Sequence, residues 1–277
     1  MEPNNAISRH YAHGSLEHAI FAALSASGKN LSALSVDDLA PVDEFHIGGR
    51  QATVDLAAQA GFARGSRLLD IGCGLGGASR YFAAELGCRV TGVDLTEEYV
   101  NVARALAERV GLAPRVSYRI GSALALPFAP QAFDGGYMLH VGMNIDDKQK
   151  LFSEARRVIA PGGIFAIYDV MREPGAGETA FPVPWASHAG MSHIESAATY
   201  RGLLEEAGFA VEKERSRADF ALDVFRRMQA PAAAGGGQPS LGLHILMGAT
   251  TPQKIANTIA GLEQGLIAPM EMISRVR

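Results

Sequence analysis

Residues 68–77 have the sequence LLDIGCGLGG, in which a short apolar run leads directly into a glycine-rich turn. Gly72, Gly74 and Gly77 have the spacing G-x-G-x-x-G, which cofactor-binding folds place between a strand and a helix. Glycine at these positions lets the backbone approach a ligand without a Cβ in the way. The turn therefore predicts a ligand site at the carboxyl edge of a parallel sheet. Alone, it does not distinguish a dinucleotide from another nucleoside cofactor.

Two acidic residues narrow the choice of cofactor. Asp70 lies two residues before the first glycine, and Asp94 ends the next predicted strand. A carboxylate at Asp70 would repel a pyrophosphate, whereas it would favour a ligand that carries an ammonium and a sulfonium. A carboxylate at Asp94 suits the two hydroxyls of a ribose. The charge pattern therefore indicates S-adenosylmethionine rather than a nicotinamide dinucleotide.

Strands and helices alternate from residue 67 onward, which predicts an α/β fold with a parallel sheet. The predicted strands are Arg67–Ile71, Arg89–Val93, Arg115–Arg119, Phe133–Leu139, Gly163–Asp169, Phe209–Glu214 and Met270–Arg277. The predicted helices are Gly76–Leu86, Glu97–Val110, Asp147–Ile159, about 197–207 and about 251–264, and residues 230–240 are a predicted flexible loop. Before residue 61 we expect helices at Ser15–Ser27 and Ala52–Gly61, and a short one at Val36–Leu39 that stops at Pro41.

Four further blocks follow the glycine turn: VTGVDLTEEYV, GSALALPF, FDGGYML and LFSEARRVIAPGGIFAIYDV. Their order and spacing across residues 66–170 resemble those of the class I S-adenosylmethionine-dependent methyltransferases. The resemblance implies a doubly wound, mostly parallel seven-stranded sheet of the Rossmann-like type. It also implies methyl transfer from S-adenosyl-L-methionine, with S-adenosyl-L-homocysteine as the product. We expect a helical cap at residues 1–60 and a methyltransferase domain at 61–277, with a lid inserted at about 171–195 after the fifth strand.

The same resemblance implies which residues bind the cofactor. Asp70, Gly72 and Gly74 should line its methionine end, and Asp94 and Leu95 should hold the ribose and flank the adenine. Further contacts are expected from Leu139 and from Ser122 and Ala123. The family often has an acid at the position of Ser122; the serine here carries no charge but can still accept a hydrogen bond.

The N-terminal segment is similar to that of small-molecule and lipid methyltransferases, in which a His-Tyr pair and a later loop close over the cofactor. Here these are Tyr11, after His10, and the loop from His46 to Gly49. Tyr11 is interpreted either as part of this lid or as a half-buried helix aromatic. For His46, the alternative to a cofactor contact is a structural role in its loop.

The methyl acceptor should lie beyond the predicted strand that ends at Leu139. His140 is the candidate base or acceptor-positioning group, because histidine titrates near neutral pH. A satisfied structural histidine is the alternative. Asn144 could bind a substrate, or it could cap the helix that begins near Asp146.

A proline-rich stretch at residues 181–188, FPVPWASH, holds the one tryptophan of the chain and is the predicted lid. It resembles a stretch in sarcosine and dimethylglycine N-methyltransferases. The ring of Trp185 could favour a cation and exclude water from the acceptor site, and His188 is a second candidate acceptor contact. Packing of Trp185 into the core is the alternative.

Composition excludes several classes of protein. Hydrophobic residues make up 48% and charged residues 19% of the 277, and the net charge of −4 provides no basic surface for nucleic acid. We expect no transmembrane segment and no signal peptide, hence a cytoplasmic protein, and we leave a homodimer open. No metal is predicted, because Asp134 begins one strand while Asp169 ends another.

The predicted function is methylation of a small-molecule acceptor, with an amine nitrogen ahead of other atoms because a neutral amine needs only positioning. The alternatives are O- or C-methylation of a small metabolite, lipid-directed chemistry resembling that of cyclopropane synthases, and a cofactor-binding protein without transfer activity.

Overall fold

A computed structural model describes residues 10–11, 14–175, 177–233 and 240–277, with only the backbone described at 229–233. Seven strands are described: β1 (Arg67–Ile71), β2 (Arg89–Asp94), β3 (Val116–Ile120), β4 (Phe133–Leu139), β5 (Ile159–Arg172), β6 (Phe209–Ser216) and β7 (Ile267–Val276).

The strands form one sheet in the order β3-β2-β1-β4-β5-β7-β6. The first five are parallel to one another, and β7 runs antiparallel to both β5 and β6. The strand order reverses between β1 and β4, where ligands bind in open α/β sheets. In this register Asp70 lies beside Gly92 on one neighbouring strand and Tyr137 on the other. The predicted seven-stranded, mostly parallel fold is confirmed.

Helices cover both faces of the sheet. They are α1 (Leu16–Ala26), α2 (Val36–Asp43), α3 (Gly49–Ala60), α4 (Gly77–Glu85), α5 (Glu97–Arg109), α6 (Lys148–Val158), α7 (Ala197–Glu206), α8 (Ala218–Ala233), α9 (His244–Met247) and α10 (Thr251–Glu263). Buried apolar side chains of α3, α4 and α5 pack on one face of the sheet, and those of α6 and α7 pack on the other. No helix in the described ranges is long and apolar enough to cross a membrane.

The helices before β1 do not all occupy the same layer. Leu16, Ile20 and Leu24 of α1 share an apolar cluster with Tyr99 and Leu106 of α5. The side chains of α3 pack instead with those of β1, β2 and β5. The predicted division of the chain at residue 60 stays a prediction.

Several predicted boundaries are wrong: β7 begins at Ile267 rather than Met270, α3 begins at Gly49 rather than Ala52, and three further cases change the description of the chain. Helix α2 continues past Pro41 to Asp43, anchored at its start by a capping box between Ser35 and Asp38. Strand β5 extends from Ile159 to Arg172, because its pairing with β7 continues through Arg172; the segment that follows therefore begins at residue 173. The backbone of 230–233, predicted as loop, is helical and ends α8, whereas 234–239 lie outside the described residues.

Candidate functional site

A cavity of about 1390 Å³ lies at the carboxyl ends of β1, β2 and β4. Its walls come from the glycine turn, the segment before α3, the lid and the C-terminal helices. Pockets for a single small ligand are typically about 300–1,000 Å³. This cavity therefore has room for two ligands side by side.

The backbone of the glycine turn forms one wall. Gly72, Gly74 and Gly76 all have positive φ, at 71°, 51° and 77°. A Cβ at residue 72 would come within 2.4 Å of Val141, whereas one at residue 74 would meet no atom within 4 Å. Gly72 therefore allows close packing inside the protein, and Gly74 leaves open space in front of the backbone.

Asp94, at the end of the neighbouring strand β2, binds the backbone of the glycine turn. Its carboxylate accepts hydrogen bonds from the backbone N–H of Gly74 and of Thr96, both at 2.9 Å. Burial raises the pKa of Asp94, and these backbone hydrogen bonds oppose the rise. The carboxylate is thereby held in one orientation at the cavity wall, next to Leu95.

Asp70 lies at the tip of β1 and is only 2% exposed. Its Oδ2 accepts hydrogen bonds from Ser79 at 2.6 Å and from Tyr137 at 3.2 Å. Burial raises the pKa of Asp70 to about 7, and the two hydroxyl donors only partly counteract it. The acid is thus poised to ionise when a cation arrives beside it.

The remaining predicted cofactor contacts Leu139, Ser122 and Ala123 also line the cavity. One lone pair of the Ser122 hydroxyl is used, because its Oγ accepts from the N–H of Leu124 at 3.2 Å. The hydroxyl can still donate to a ligand.

Tyr11 and the lid meet over the cavity through Asn144. The Tyr11 hydroxyl donates to Asn144 Oδ1 at 3.1 Å, and Asn144 Nδ2 donates to the carbonyl of Trp185 at 2.7 Å. The alternative role of Asn144 as a helix cap is wrong, because α6 begins at Lys148 and Asp147 is its N-cap. Asn144 instead ties the N-terminal segment to the lid.

Trp185 lines the cavity but is 2% exposed, and it packs among Met143, Val170 and Phe225. Its indole N–H donates to Ser192 at 2.9 Å. The structure combines the two interpretations of this residue, since the ring is part of an apolar cluster that forms a wall of the cavity.

His188 is exposed and does not line the cavity. His193, five residues further along the lid, does, with its Nδ1 3.5 Å from the carboxylate of Asp146. Sequence reasoning did not single out His193, because the choice between two lid histidines depends on the path of the loop.

His46 lines the cavity within a buried network. Its Nε2 lies 3.0 Å from the carbonyl of Gly49 and 3.1 Å from the Thr53 hydroxyl, which donates to Glu44. Burial lowers the pKa of His46 to about 4. The imidazole is therefore neutral at pH 7 and donates to the Gly49 carbonyl, which fixes this loop at the start of α3.

His140 follows β4 directly and has a left-handed backbone, with φ of 56°. Its backbone N–H donates to the carbonyl of Tyr168 at 2.7 Å. The centroid of its imidazole ring lies 5.1 Å from that of the Tyr168 ring and 5.9 Å from that of the His46 ring. Its Nε2 is buried and has no hydrogen-bond partner in the described part of the chain. Burial, assisted by His46, lowers the pKa of His140 well below its usual value. The site therefore contains a neutral imidazole with a free ring nitrogen.

The two acids considered for a metal lie in different surroundings. Asp134 pairs with Arg67 at 2.6 Å, at the amino end of β1, whereas Asp169 is buried and accepts from the Tyr200 hydroxyl at 2.7 Å. Across the described ranges no group of three or more histidine, cysteine, aspartate and glutamate residues could hold a metal ion.

Sequence reasoning missed the wall that α8, α9 and α10 provide. Phe225, Met247 and Ile255 are among its lining side chains. The apolar residues from Ala221 to Met228 have helical spacing, which was the available signal for α8.

Comparisons with known proteins agree with the fold and the turn. Residues 69–167 match the family described as "Methyltransferase domain". The chain is 39% identical over 105 residues to 24-methylenesterol C-methyltransferase 2 of Oryza sativa subsp. japonica, covering 38% of this chain and 29% of that protein. It is 34% identical over 179 residues to erythromycin 3''-O-methyltransferase of Saccharopolyspora erythraea, covering 61% of this chain and 58% of that one. The chain thus spans less than two thirds of the length of these relatives.

Solved structures share the whole architecture. Geranyl diphosphate C-methyltransferase from Streptomyces coelicolor A3(2), in complex with Mg²⁺, geranyl-S-thiolodiphosphate and S-adenosyl-L-homocysteine, has a TM-score of 0.73 at 18% identity, covering 100% of this chain and 99% of that one. Phosphoethanolamine N-methyltransferase 2 of Haemonchus contortus, in complex with S-adenosyl-L-methionine, has a TM-score of 0.74 at 19% identity, covering 100% of this chain and 60% of that one. At these identities the likeness concerns the fold.

Proposed function

We propose that this chain transfers a methyl group from S-adenosyl-L-methionine to a small-molecule acceptor. Its residues 69–167 match a methyltransferase domain. The observation that carries the proposal is the pairing of Asp94 with the glycine turn. A carboxylate fixed by two backbone N–H groups faces a backbone whose Gly74 leaves open space in front of it.

The residues of the site fit this cofactor. Asp94 has the acceptor oxygens that two ribose hydroxyls require, and Leu95 and Ala123 offer apolar surface to a flat base. Asp70 offers a carboxylate to the ammonium of the methionine end, and the pKa of about 7 means that a cation beside it shifts it to the charged form. When bound, the cofactor supplies a methyl carbon that its positive sulfur activates for in-line displacement.

The chain's own groups then position the acceptor and exclude water. Methyl transfer would leave S-adenosyl-L-homocysteine as the product, and the acceptor would give up one proton. Tyr11, Asn144 and Trp185 close the cavity on the side of the lid. An amine nitrogen remains our predicted acceptor, because an amine bound in its neutral form releases that proton to solvent.

A hydroxyl acceptor is the second candidate, and the free Nε2 of His140 favours it. A hydroxyl is a weak nucleophile until a base removes its proton. His140 lines the cavity and is neutral at pH 7, and its Nε2 is buried without a partner in the described residues, so a rotation of the ring toward the acceptor would let it accept that proton as a weak base.

The test is binding of S-adenosyl-L-homocysteine by isothermal titration calorimetry to the wild type and to Asp94→Ala. Hydrogen bonds to a charged group contribute about 1.5–3 kcal/mol each, so losing two should weaken binding about a hundredfold or more. Asp223→Ala, which removes an exposed carboxylate on α8, is the matched control and should bind as the wild type does. An unchanged affinity in Asp94→Ala would remove the basis of the proposal. Transfer of labelled methyl to amines, phenols and hydroxy acids, assayed side by side, then identifies the acceptor atom.

A further inference from the structure

Beyond His140 the cavity is walled by apolar side chains from α8, from the segment 241–247 and from α10. The lining residues there are Val224, Phe225, Met228, Leu241, Leu243, Leu246, Met247 and Ile255. Phe225, Leu241, Leu246 and Met247 are all buried, whereas Met228 is 52% exposed. An exposed methionine on the wall of a cavity marks where the apolar surface reaches solvent.

The described part of the cavity wall carries no strong cation. Among the described side chains that line it, none is a lysine or an arginine, whereas six are aspartates or glutamates. Arg80 and Arg50 nearby are paired with carboxylates, since Arg80 contacts Asp43 at 2.5 Å and Arg50 contacts Glu44 at 2.6 Å. Two lysines beside the cavity are not in its lining and donate to backbone carbonyls, Lys148 to those of Ile145 and His193 and Lys254 to that of Met247.

Two of the four lining histidines, His46 and His140, do not supply the missing charge. Burial keeps His46 and His140 neutral by lowering the pKa of each. His193 lies 3.5 Å from the Asp146 carboxylate, and His244 is the fourth histidine in the lining. A buried anion without a partner is strongly disfavoured, so the apolar end of the cavity selects against an acceptor that carries a phosphate or a carboxylate.

We propose that the methyl acceptor is an uncharged, predominantly apolar molecule whose body lies between α8 and α10. Its reactive atom then lies at His140, between the apolar wall and the glycine turn. The inference rests on the proposed function, because only a methyltransferase has a methyl acceptor. The volume of about 1390 Å³ supports it, because one ligand of ordinary size would leave the apolar end unfilled.

The first test uses a matched pair of fluorescent probes on the full chain. N-phenyl-1-naphthylamine is uncharged, and 8-anilinonaphthalene-1-sulfonate has the same ring system with a sulfonate added. We expect the uncharged probe to bind about tenfold or more tightly than the sulfonate, with saturating S-adenosyl-L-homocysteine present. Equal affinities, or tighter binding of the sulfonate, would overturn the proposal.

The second test locates the probe. Val224→Trp should fill the space between the helices and weaken binding of the uncharged probe about tenfold or more. Asp223→Trp places the same ring on the exposed side of α8 and should bind the probe as the wild type does. If Val224→Trp leaves probe binding intact, the apolar body does not lie between α8 and α10.

A charge variant keeps the proposal testable if the tryptophan variant fails to fold. Ile255→Lys introduces the missing cation into the lining, and Gln253→Lys adds the same charge on the exposed face of α10. Only Ile255→Lys should tighten binding of the sulfonate, by about tenfold. A gain with both variants, or with neither, would contradict the proposed position.

Calorimetry with S-adenosyl-L-homocysteine separates the two proposals. Probe binding without binding of S-adenosyl-L-homocysteine would contradict the proposed function and leave an apolar-ligand site. Binding of S-adenosyl-L-homocysteine without preference for the uncharged probe would contradict the inference about the acceptor and leave the function standing.

Discussion

The two ends of the cavity are built in different ways. At the cofactor end, Asp70 and Asp94 stand at the tips of neighbouring parallel strands, and the register of the sheet places them. At the proposed acceptor end, Asn144 and the lid residue Trp185 meet Tyr11, the predicted cofactor contact from a segment far away in the chain, through two hydrogen bonds of the Asn144 side chain.

This difference in construction determines what a substitution at each end of the cavity changes. A sheet edge fixes its side chains through many backbone hydrogen bonds, so single substitutions there alter chemistry more than shape. A lid held by a few side chains opens locally at low free-energy cost. We therefore expect substitutions at the first end to change cofactor affinity, and those at the second to change acceptor use.

The largest effect is expected at His140, which lies where the two ends meet. His140→Asn removes the proton acceptor and keeps a residue type that tolerates the left-handed backbone at φ of 56°. If the acceptor is a hydroxyl, turnover should fall about 10²–10⁴-fold with unchanged affinity for S-adenosyl-L-homocysteine. Steady-state kinetics and calorimetry on the same preparation measure both.

The pH profile separates a base from a structural histidine. Because the pKa of His140 is well below its usual value, its neutral form persists at and above pH 7, and the wild type should keep its turnover there. In His140→Asn, transfer to a hydroxyl should instead rise with pH as the acceptor ionises without help. A parallel loss at every pH would assign His140 to shaping the pocket alone.

The next effect concerns Asp70 and the pH dependence of cofactor binding. In the free protein the pKa of Asp70 is about 7, so below pH 7 it is largely protonated and a bound ammonium must first displace that proton. Affinity for S-adenosyl-L-homocysteine should therefore fall as pH is lowered, approaching about tenfold per pH unit below 7. Asp70→Asn should bind more weakly at pH 8 and lose this dependence, as titration calorimetry from pH 5.5 to 8 would show. A slope that persists in Asp70→Asn would assign it to another group.

The stability of the free protein should depend on pH in the opposite sense to cofactor affinity, because of Asp70. The folded pKa is raised above the ordinary value of 3.8, so the folded state holds a proton more tightly than the unfolded chain does. The contribution of Asp70 to stability is complete below about pH 4 and is lost as pH rises through 7. If the proposed function holds, Asp70 should therefore couple cofactor binding to the release of a proton.

The sequence was sufficient to predict where the residues of the proposed cofactor end lie. Strand ends and glycine spacing are local patterns, and because parallel strands end at one edge, these patterns alone place Asp70 and Asp94 at one wall. The glycine turn also fixes its own backbone, since Gly72 tolerates both its positive φ and the approach of Val141. Local rules and global fold agree there, and the fold prediction is confirmed.

The acceptor end could not be predicted because its contacts are long-range. The hydrogen bond between Tyr11 and Asn144 spans 133 residues of sequence, and no local pattern pairs them. His193 rather than His188 lines the cavity, which depends on the path of the whole lid. Helix α8 was not predicted at all, because its C-terminal residues APAA resemble a loop in composition although its first turns have helical spacing.

The smallest effect is expected where the two segments of the acceptor end are joined. Tyr11→Phe removes the hydrogen bond to Asn144 and should cost about 1 kcal/mol, or a roughly fivefold increase in lid opening. Amide hydrogen exchange followed by mass spectrometry should show faster exchange at residues 183–192 and no change in β1 and β2. The matched control is Tyr99→Phe, because the buried Tyr99 hydroxyl has no partner in the described residues and its removal breaks no hydrogen bond. Equal exchange in the two variants would mean that packing of Trp185, rather than the Tyr11 hydroxyl, holds the lid in place. The acceptor end would then be fixed by buried contacts, as the cofactor end is.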